Sequence, residues 1–220
     1  MRWTADRWSC LVEGLDFPSF IGWYIWRLQA AAPWTAWVIA AWMVVSYLVR
    51  KDTPKTIGWR FDNLGLASVD AVRFFSVSFA VTFVVGVFLG MLHRAPSHVL
   101  VPRRFASYLA FCVLQQVGLN SFVMNRLLRA FEGKVAPAAF LAGLAFGLLH
   151  WPNPVLVPIT FVGGVAMAWM FAKERNILPL ALGQAVLGSL IWLAFPLAWH
   201  HSMRVGPGYW SYKLPVGSGK

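Results

Sequence analysis

Negative charge is scarce in this chain: eight Asp and Glu stand against 19 Lys and Arg in 220 residues. Each of the eight (Asp6, Glu13, Asp16, Asp52, Asp62, Asp70, Glu132, Glu174) falls at or outside the edge of an apolar stretch. No carboxylate is therefore expected at bilayer depth, where an ionised side chain is expensive. That excludes an aspartyl mechanism there. Cysteine is equally thin, with only Cys10 and Cys112 in unlike settings, which excludes a disulfide framework and a thiolate zinc site. The start, Met-Arg-Trp-Thr-Ala-Asp-Arg, is basic, but no apolar core follows before Glu13 and Asp16. A cleaved secretory signal is not expected, and the first span is left to do the targeting. Internal repeats and low-complexity tracts are also missing.

Apolar sequence fills the space instead. The chain is 59% hydrophobic and 12% charged, with 13 Trp, 17 Phe and a mean hydropathy of +0.61, the composition of a protein dissolved in lipid. A helix needs about 20 apolar residues to cross a bilayer. Such windows lie at 32–49, 71–92, 105–125, 135–150, 154–172 and 177–197. The fold class expected is therefore all-α: a polytopic transmembrane bundle of about six spans, in one membrane domain covering 1–220. Phe17 to Ala31 contains Trp23 and Trp26 but is interrupted by Arg27, which suits an interfacial helix within an N-terminal segment 1–31. Residues 200–220 read as an extramembrane tail whose aromatics make it a candidate docking element. Gly86/Gly90, Gly143/Gly147 and Gly163-Gly164 with Ala168 offer small faces for close helix approach. Trp34, Trp151, Trp169, Trp192 and Trp199 fall near span ends, as interfacial anchors do.

The net charge of +11 does not point to nucleic acid, because the cations come in short groups beside span ends: Arg50-Lys51, Arg103-Arg104, Arg126 with Arg129, and Lys173 with Arg175. They read as membrane anchors. Lys and Arg divide almost equally between alternate loops, and the charges closest to spans (Arg50-Lys51, Arg126-Arg129, Lys173-Arg175) favour their side as cytoplasmic. His93, His98, His200 and His201 fall in loops or the tail and read as surface residues.

Polar side chains inside the apolar windows are the place to look for function. Positions four apart share a helix face, so Gln116 and Asn120 point together, while Gln115, turned about 100° from Gln116 on an ideal helix, can address another neighbour. Phe146 and His150 are likewise four apart on the next span, and Gln184 lies with Gly188 on the last. Three helices each bring an amide or an imidazole inward, which is how a bundle builds a site. The same amides serve equally as interhelical bonds.

In order, placement and spacing these residues resemble the CAAX-processing and bacteriocin-processing intramembrane protease family. Its members carry Glu-Glu-x-x-x-Arg on one span, Phe-x-x-x-His at the end of the next, and His-x-x-x-Asn or Asp on a later one. The matching positions are Gln115, Gln116 and Asn120, then Phe146 and His150, then Gln184 and Gly188, within a family-like core at 105–197. The resemblance implies a glutamate that activates water with help from a histidine. Here amides stand where the glutamates and arginine belong, and His150 alone survives. An amide has no proton-accepting form near neutral pH, and one His with amides leaves a divalent ion short of its ligands. Ser121 lies near the polar face but has no Gly-x-Ser-Gly setting.

The expectation is a catalytically inactive relative with no cofactor and no metal site, binding other membrane-protein subunits as part of a complex. Two alternatives stand beside it: an active intramembrane endopeptidase of the CAAX type, and a protein that binds a prenyl lipid, quinone or pigment. Nucleic acid is not an expected partner. A multi-pass position in a bacterial inner membrane is the expected location.

Overall fold

The computed structural model describes residues 4–91 and 102–214. Every regular element in these residues is helical. Helix α1 (Ala5–Trp23) continues through a π-helical turn, Tyr24–Leu28, to Ala31; α2 is Thr35–Val49 and α3 is Leu64–Phe88. Helix α4 (Pro102–Gln116) runs into a π-helical stretch, Val117–Met124, and on into α5 (Asn125–Ala130). Then come α6 (Val135–Leu148), α7 (Leu156–Glu174), α8 (Leu178–Ala194) and the short turns α9 (Leu197–His200) and α10 (Pro207–Trp210).

Three helical segments among these residues are long and apolar enough to cross a membrane: Leu64–Phe88, Arg103–Ala130 and Leu156–Glu174. Thr35–Val49, Val135–Leu148 and Leu178–Ala194 are apolar but shorter. An integral membrane protein of the all-α class follows. The outward faces of α2 and α3 carry Trp37, Leu48, Val49, Val77, Phe83 and Phe88 exposed, as a lipid-facing surface should when no water drives them inward.

The middle of the molecule is the π-helical stretch. Leu119 to Met124 are all buried, because α1, α6 and α7 pack around it. Only Val117 and Gly118 at its start are partly exposed. The small-residue faces are used unevenly. A Cβ at Gly143 would overlap Val165, and one at Gly147 would stand 2.9 Å from the Phe161 Cβ, so α6 lies directly against α7. Gly164 approaches the Gly143 backbone from the other side. Gly86 faces Ala194, whereas Gly90 and Gly163 meet nothing; Gly90 has φ +76° and ends a helix rather than packing one.

Several expectations need correcting. The N-terminal helix is not confined to Phe17–Ala31: it starts at Ala5 and buries Arg7, Cys10, Gly14, Phe17 and Pro18 against the core. Its Gly14 sits over Leu127 of α5, where a Cβ would come within 3.1 Å. Arg126 is not a membrane anchor but is fully enclosed. Its Nε donates to Glu13 Oε2 and its Nη1 to Asp52 Oδ2, both at 2.8 Å, and its Nη2 donates to Ser46 Oγ at 2.9 Å. Its guanidinium also lies 4.8 Å from the Phe122 ring centroid. Asp52, expected at a span edge, has a fully buried side chain and also accepts from Arg129. Arg50 grips Glu13 from the other side, 2.6 Å from Nη2 to Oε1, and reaches Asp6.

His200 is buried rather than on the surface: its Nδ1 accepts from the Met203 backbone, and its Nε2 meets the Phe195 carbonyl at 3.2 Å. The tail as far as residue 214 folds back onto its own chain. The Gly206 backbone donates to the Trp151 carbonyl at 2.8 Å, Trp210 packs edge-on against Trp26, and His201 stacks on Tyr209 with centroids 4.0 Å apart. Trp210 nevertheless keeps 60% of its surface exposed. His93, His98 and Val216–Lys220 lie outside the described residues.

Removing one member of a buried charge set leaves the others uncompensated, which costs about 3–5 kcal/mol. Arg126→Met should lower the unfolding midpoint of the detergent-solubilised protein far more than Arg103→Met, as read by intrinsic tryptophan fluorescence. Acid should act at the same place. Burial pushes the Glu13 carboxyl up, but hydrogen bonds from Arg50 and Ser46 outweigh it, and the net shift is below the ordinary value of 4.5. Its contribution is complete above that value and is lost as the pH falls through the lower folded one. Stability measured from pH 7 downward should therefore hold to about pH 4.5 and then fall, with the loss blunted in Glu13→Gln, whose parent stability is already reduced.

Candidate functional site

Gln115 and Gln116 end α4, and the π-helical stretch begins at the next residue. A π-helical turn widens the helix and marks functional positions in many proteins. Gln116 and Asn120 are fully buried, and Asn120 Nδ2 donates to Gln116 Oε1 at 2.5 Å. Gln116 Nε2 donates in turn to Gln184 Oε1 of α8 at 2.6 Å and to Met167 Sδ of α7 at 3.0 Å. Gln184 Nε2 then donates to Gln115 Oε1 at 2.6 Å. The structure thus brings together Gln115, Gln116, Asn120 and Gln184 in one head-to-tail relay of amides between two helices, with the Met167 sulfur of a third as a further acceptor.

The relay fixes the residue type at its inner positions. Gln116 and Gln184 each accept through oxygen and donate through nitrogen at the same time. An ionised carboxylate only accepts, and an ammonium or guanidinium only donates. Neutral amides satisfy both ends without a charge to desolvate. Asn120 Oδ1 is the exception, a buried acceptor with no hydrogen-bond partner among the described residues.

Among the described residues His150, Phe146 and Gly188 take no part in the hydrogen bonds of the relay. Phe146 is buried against Gly164, and His150 sits just past the end of α6 with Nδ1 2.7 Å from the Phe146 carbonyl and its ring edge-on to Phe146 at 4.8 Å. No hydrogen bond joins His150 to the amides among the described residues. Gly188 is filled from outside: a Cβ there would overlap the Tyr108 hydroxyl, so the Tyr108 ring from α4 occupies the space a longer side chain would need. Among the described residues no three His, Cys, Asp or Glu stand together as a metal set. Ser121 donates to the Ile57 carbonyl, a bond to the loop after α2 rather than to a base.

The partly buried carboxylate of Glu13 is committed elsewhere. Both oxygens of Glu13 accept from Arg50, and Oε2 also accepts from Ser46 and Arg126. A carboxylate held below its usual range by guanidinium bonds is a weak proton acceptor.

Two further residues shape this region and were not singled out from sequence. Asn153, in the run after His150, accepts from the Val155 and Leu156 backbone at 3.1 and 3.0 Å and donates to the His200 and Arg204 carbonyls, both at 2.9 Å. It starts α7 and holds the tail in one motion. Asn176 does the same before α8, accepting from Leu178 N at 3.0 Å and donating to Arg60 O at 3.0 Å. Their sequence signal is an Asn one to three residues ahead of an apolar helix, the position of a capping residue.

Gln116→Glu removes the donor to Gln184 and Met167 and leaves a chargeable group in the core. An unsatisfied buried partner costs about 1–3 kcal/mol. The variant should unfold at lower temperature than the parent at pH 7, and the gap should narrow at pH 4, where the new carboxyl gains a proton and can donate. A Gln116→Glu protein as stable as the parent at both pH values would show that the relay is not a bonding unit.

Residues 97–190 match a family model described as type II CAAX prenyl endopeptidase Rce1-like. The matched stretch contains the Gln115-Gln116, Phe146/His150 and Gln184/Gly188 positions. No curated protein and no solved structure matches the chain.

Proposed function

From a chain whose residues 97–190 support membership of the CAAX-processing intramembrane protease family, we propose a non-catalytic role: a multi-pass membrane protein whose ancestral site has become a neutral bonding core, and which acts as a binding or assembly subunit. A bacterial inner membrane is the location that goes with this reading. One observation carries it. Gln115 and Gln116, which the resemblance places where the family carries its glutamates, are both engaged in hydrogen bonds with Gln184. General-base hydrolysis needs a titratable group within reach of water, and the relay has none. His150 is directed at a backbone carbonyl of its own helix, where it orients no other catalytic group.

A second reading, the carrying of an apolar ligand, is favoured by a cavity of about 510 Å³ lined by Pro154, Val155, Ile159, Phe195, Trp199 and Tyr209. Its volume and aromatic walls are those of small-molecule sites. Organic extraction of protein purified in mild detergent separates the two: a stoichiometric prenyl lipid, quinone or pigment supports the carrier, and a co-purifying protein subunit supports assembly.

The purified protein should leave prenylated CAAX peptides and transmembrane substrates intact over a prolonged incubation read by mass spectrometry. Cleavage that is present in the parent and lost in His150→Ala would overturn the non-catalytic reading.

A further inference from the structure

At the end of the bundle that carries Arg126, the loop after α2, the end of α5 and the residue after α7 enclose a cavity of about 370 Å³. Its lining is Lys55, Thr56, Arg60, Asn125, Arg129 and Arg175, so four of six residues are cationic and none is acidic. We propose that this cavity is a binding site for a phosphate-bearing anion, with the headgroup of an anionic phospholipid as the source its position favours.

The site is built rather than assembled by chance from surface lysines. The loop that supplies Lys55, Thr56 and Arg60 is pinned from below: Asn125 Nδ2 donates to the Thr56 carbonyl at 2.8 Å, Ser121 donates to the Ile57 carbonyl, and Ile177 N donates to the Gly58 carbonyl at 3.0 Å. Gly58 has φ +79° and lies against the Phe171 ring, where a side chain would not fit. Arg175 is also held. It has a left-handed backbone (φ 48°), its Nη1 donates to Asn125 Oδ1, and its guanidinium lies 5.4 Å from the Phe171 centroid.

The acids nearby offset part of this charge, at Arg60 and Arg129, and leave Lys55 and Arg175 uncompensated among the described residues. Asp52 accepts from Arg129 but shares itself with Arg126. Asp62 is exposed and engages Arg60 through Nε and Nη2. Glu174 lies close enough to act on Arg60 but does not line the cavity. Lys55 and Arg175 have no carboxylate partner among the described residues. The Arg175 charge is disfavoured first by burial and then by the Arg129 cation. An anion between the two guanidiniums removes that repulsion and meets the planar donors that suit phosphate oxygens.

Depth points to a lipid. Arg129 stands at the end of the Arg103–Ala130 span and Arg175 just after the Leu156–Glu174 span, the level at which a phospholipid headgroup lies. Clustered basic residues at span ends face the cytoplasmic leaflet, where anionic lipids are enriched. The proposal does not depend on whether the amide relay is catalytic.

The test uses the full chain in neutral detergent, titrated with short-chain phosphatidylglycerol, short-chain phosphatidylcholine or inorganic pyrophosphate, and followed by its thermal unfolding midpoint. Phosphatidylglycerol should raise the midpoint and phosphatidylcholine should not. Lys55→Gln/Arg60→Gln should need at least about tenfold more phosphatidylglycerol for the same rise, as expected when charge-assisted bonds are lost. Should that pair disturb folding without ligand, Lys55→Gln alone, which gives up no bond among the described residues, carries the comparison with a smaller loss in the same direction. Protection by pyrophosphate but not by phosphatidylglycerol upholds the anion site and overturns the lipid as its source. Equal protection by both lipids, no protection by any probe, or a lipid response unchanged in the variants overturns the proposal.

Discussion

The Arg126 guanidinium is the constraint around which the rest is arranged. It is fully buried and touches a carboxylate of α1, a carboxylate of the loop after α2 and a hydroxyl of α2. A lone cation at that place would be untenable in a low-dielectric interior. Each of its partners therefore has to be present, and each fixes a different segment. Glu13 draws α1 along α5, Asp52 turns the chain after α2 back over the bundle, and Ser46 sets the register of α2. Once the loop after Asp52 is held there, Ile57 and Gly58 can cap Ser121 and Ile177, which in turn places the cavity of Lys55, Arg60 and Arg175.

The amide relay is a different solution to the same problem a few turns further along the same helix. Where the ion cluster compensates charge with charge, the relay avoids charge altogether. Both are built on the continuous helix that runs from α4 through the π-helical stretch into α5, and both reach segments distant in sequence. The relay gives α8 and α7 a polar anchor on α4, in a setting where apolar contact alone discriminates poorly between helix neighbours because lipid tails offer equivalent contact. This supports a stable, specific bundle without supplying a reacting group.

The likeness to the CAAX endopeptidase family extends over residues 97–190, and it is this stretch that holds the relay. The N-terminal helix and the Glu13, Ser46, Arg50 and Asp52 members of the ion cluster lie outside that match, whereas its Arg126 and Arg129 members lie inside it. Glu13 and Asp52 are engaged by arginine at the Arg126 end of the continuous α4-to-α5 helix.

Sequence by itself determined the class of the fold and most helix positions, because the length of an apolar run and its polar ends are local properties. It also determined that Gln116 and Asn120 would meet, since four residues of helix bring side chains onto one face whatever surrounds them, and that Gln115 would turn to another partner. Tertiary structure alone decided what Arg126, Asp52, His200 and Asn153 do. Arg126 beside an apolar run has the same local signature whether it reaches headgroups or closes on Glu13 and Asp52, which are 113 and 74 residues away. His200 reads as surface until Asn153, 47 residues back in the chain, binds its carbonyl. Pairing across such separations depends on which helices pack together, and in an apolar chain that choice is made by shape and by a few buried polar bonds that no local pattern announces.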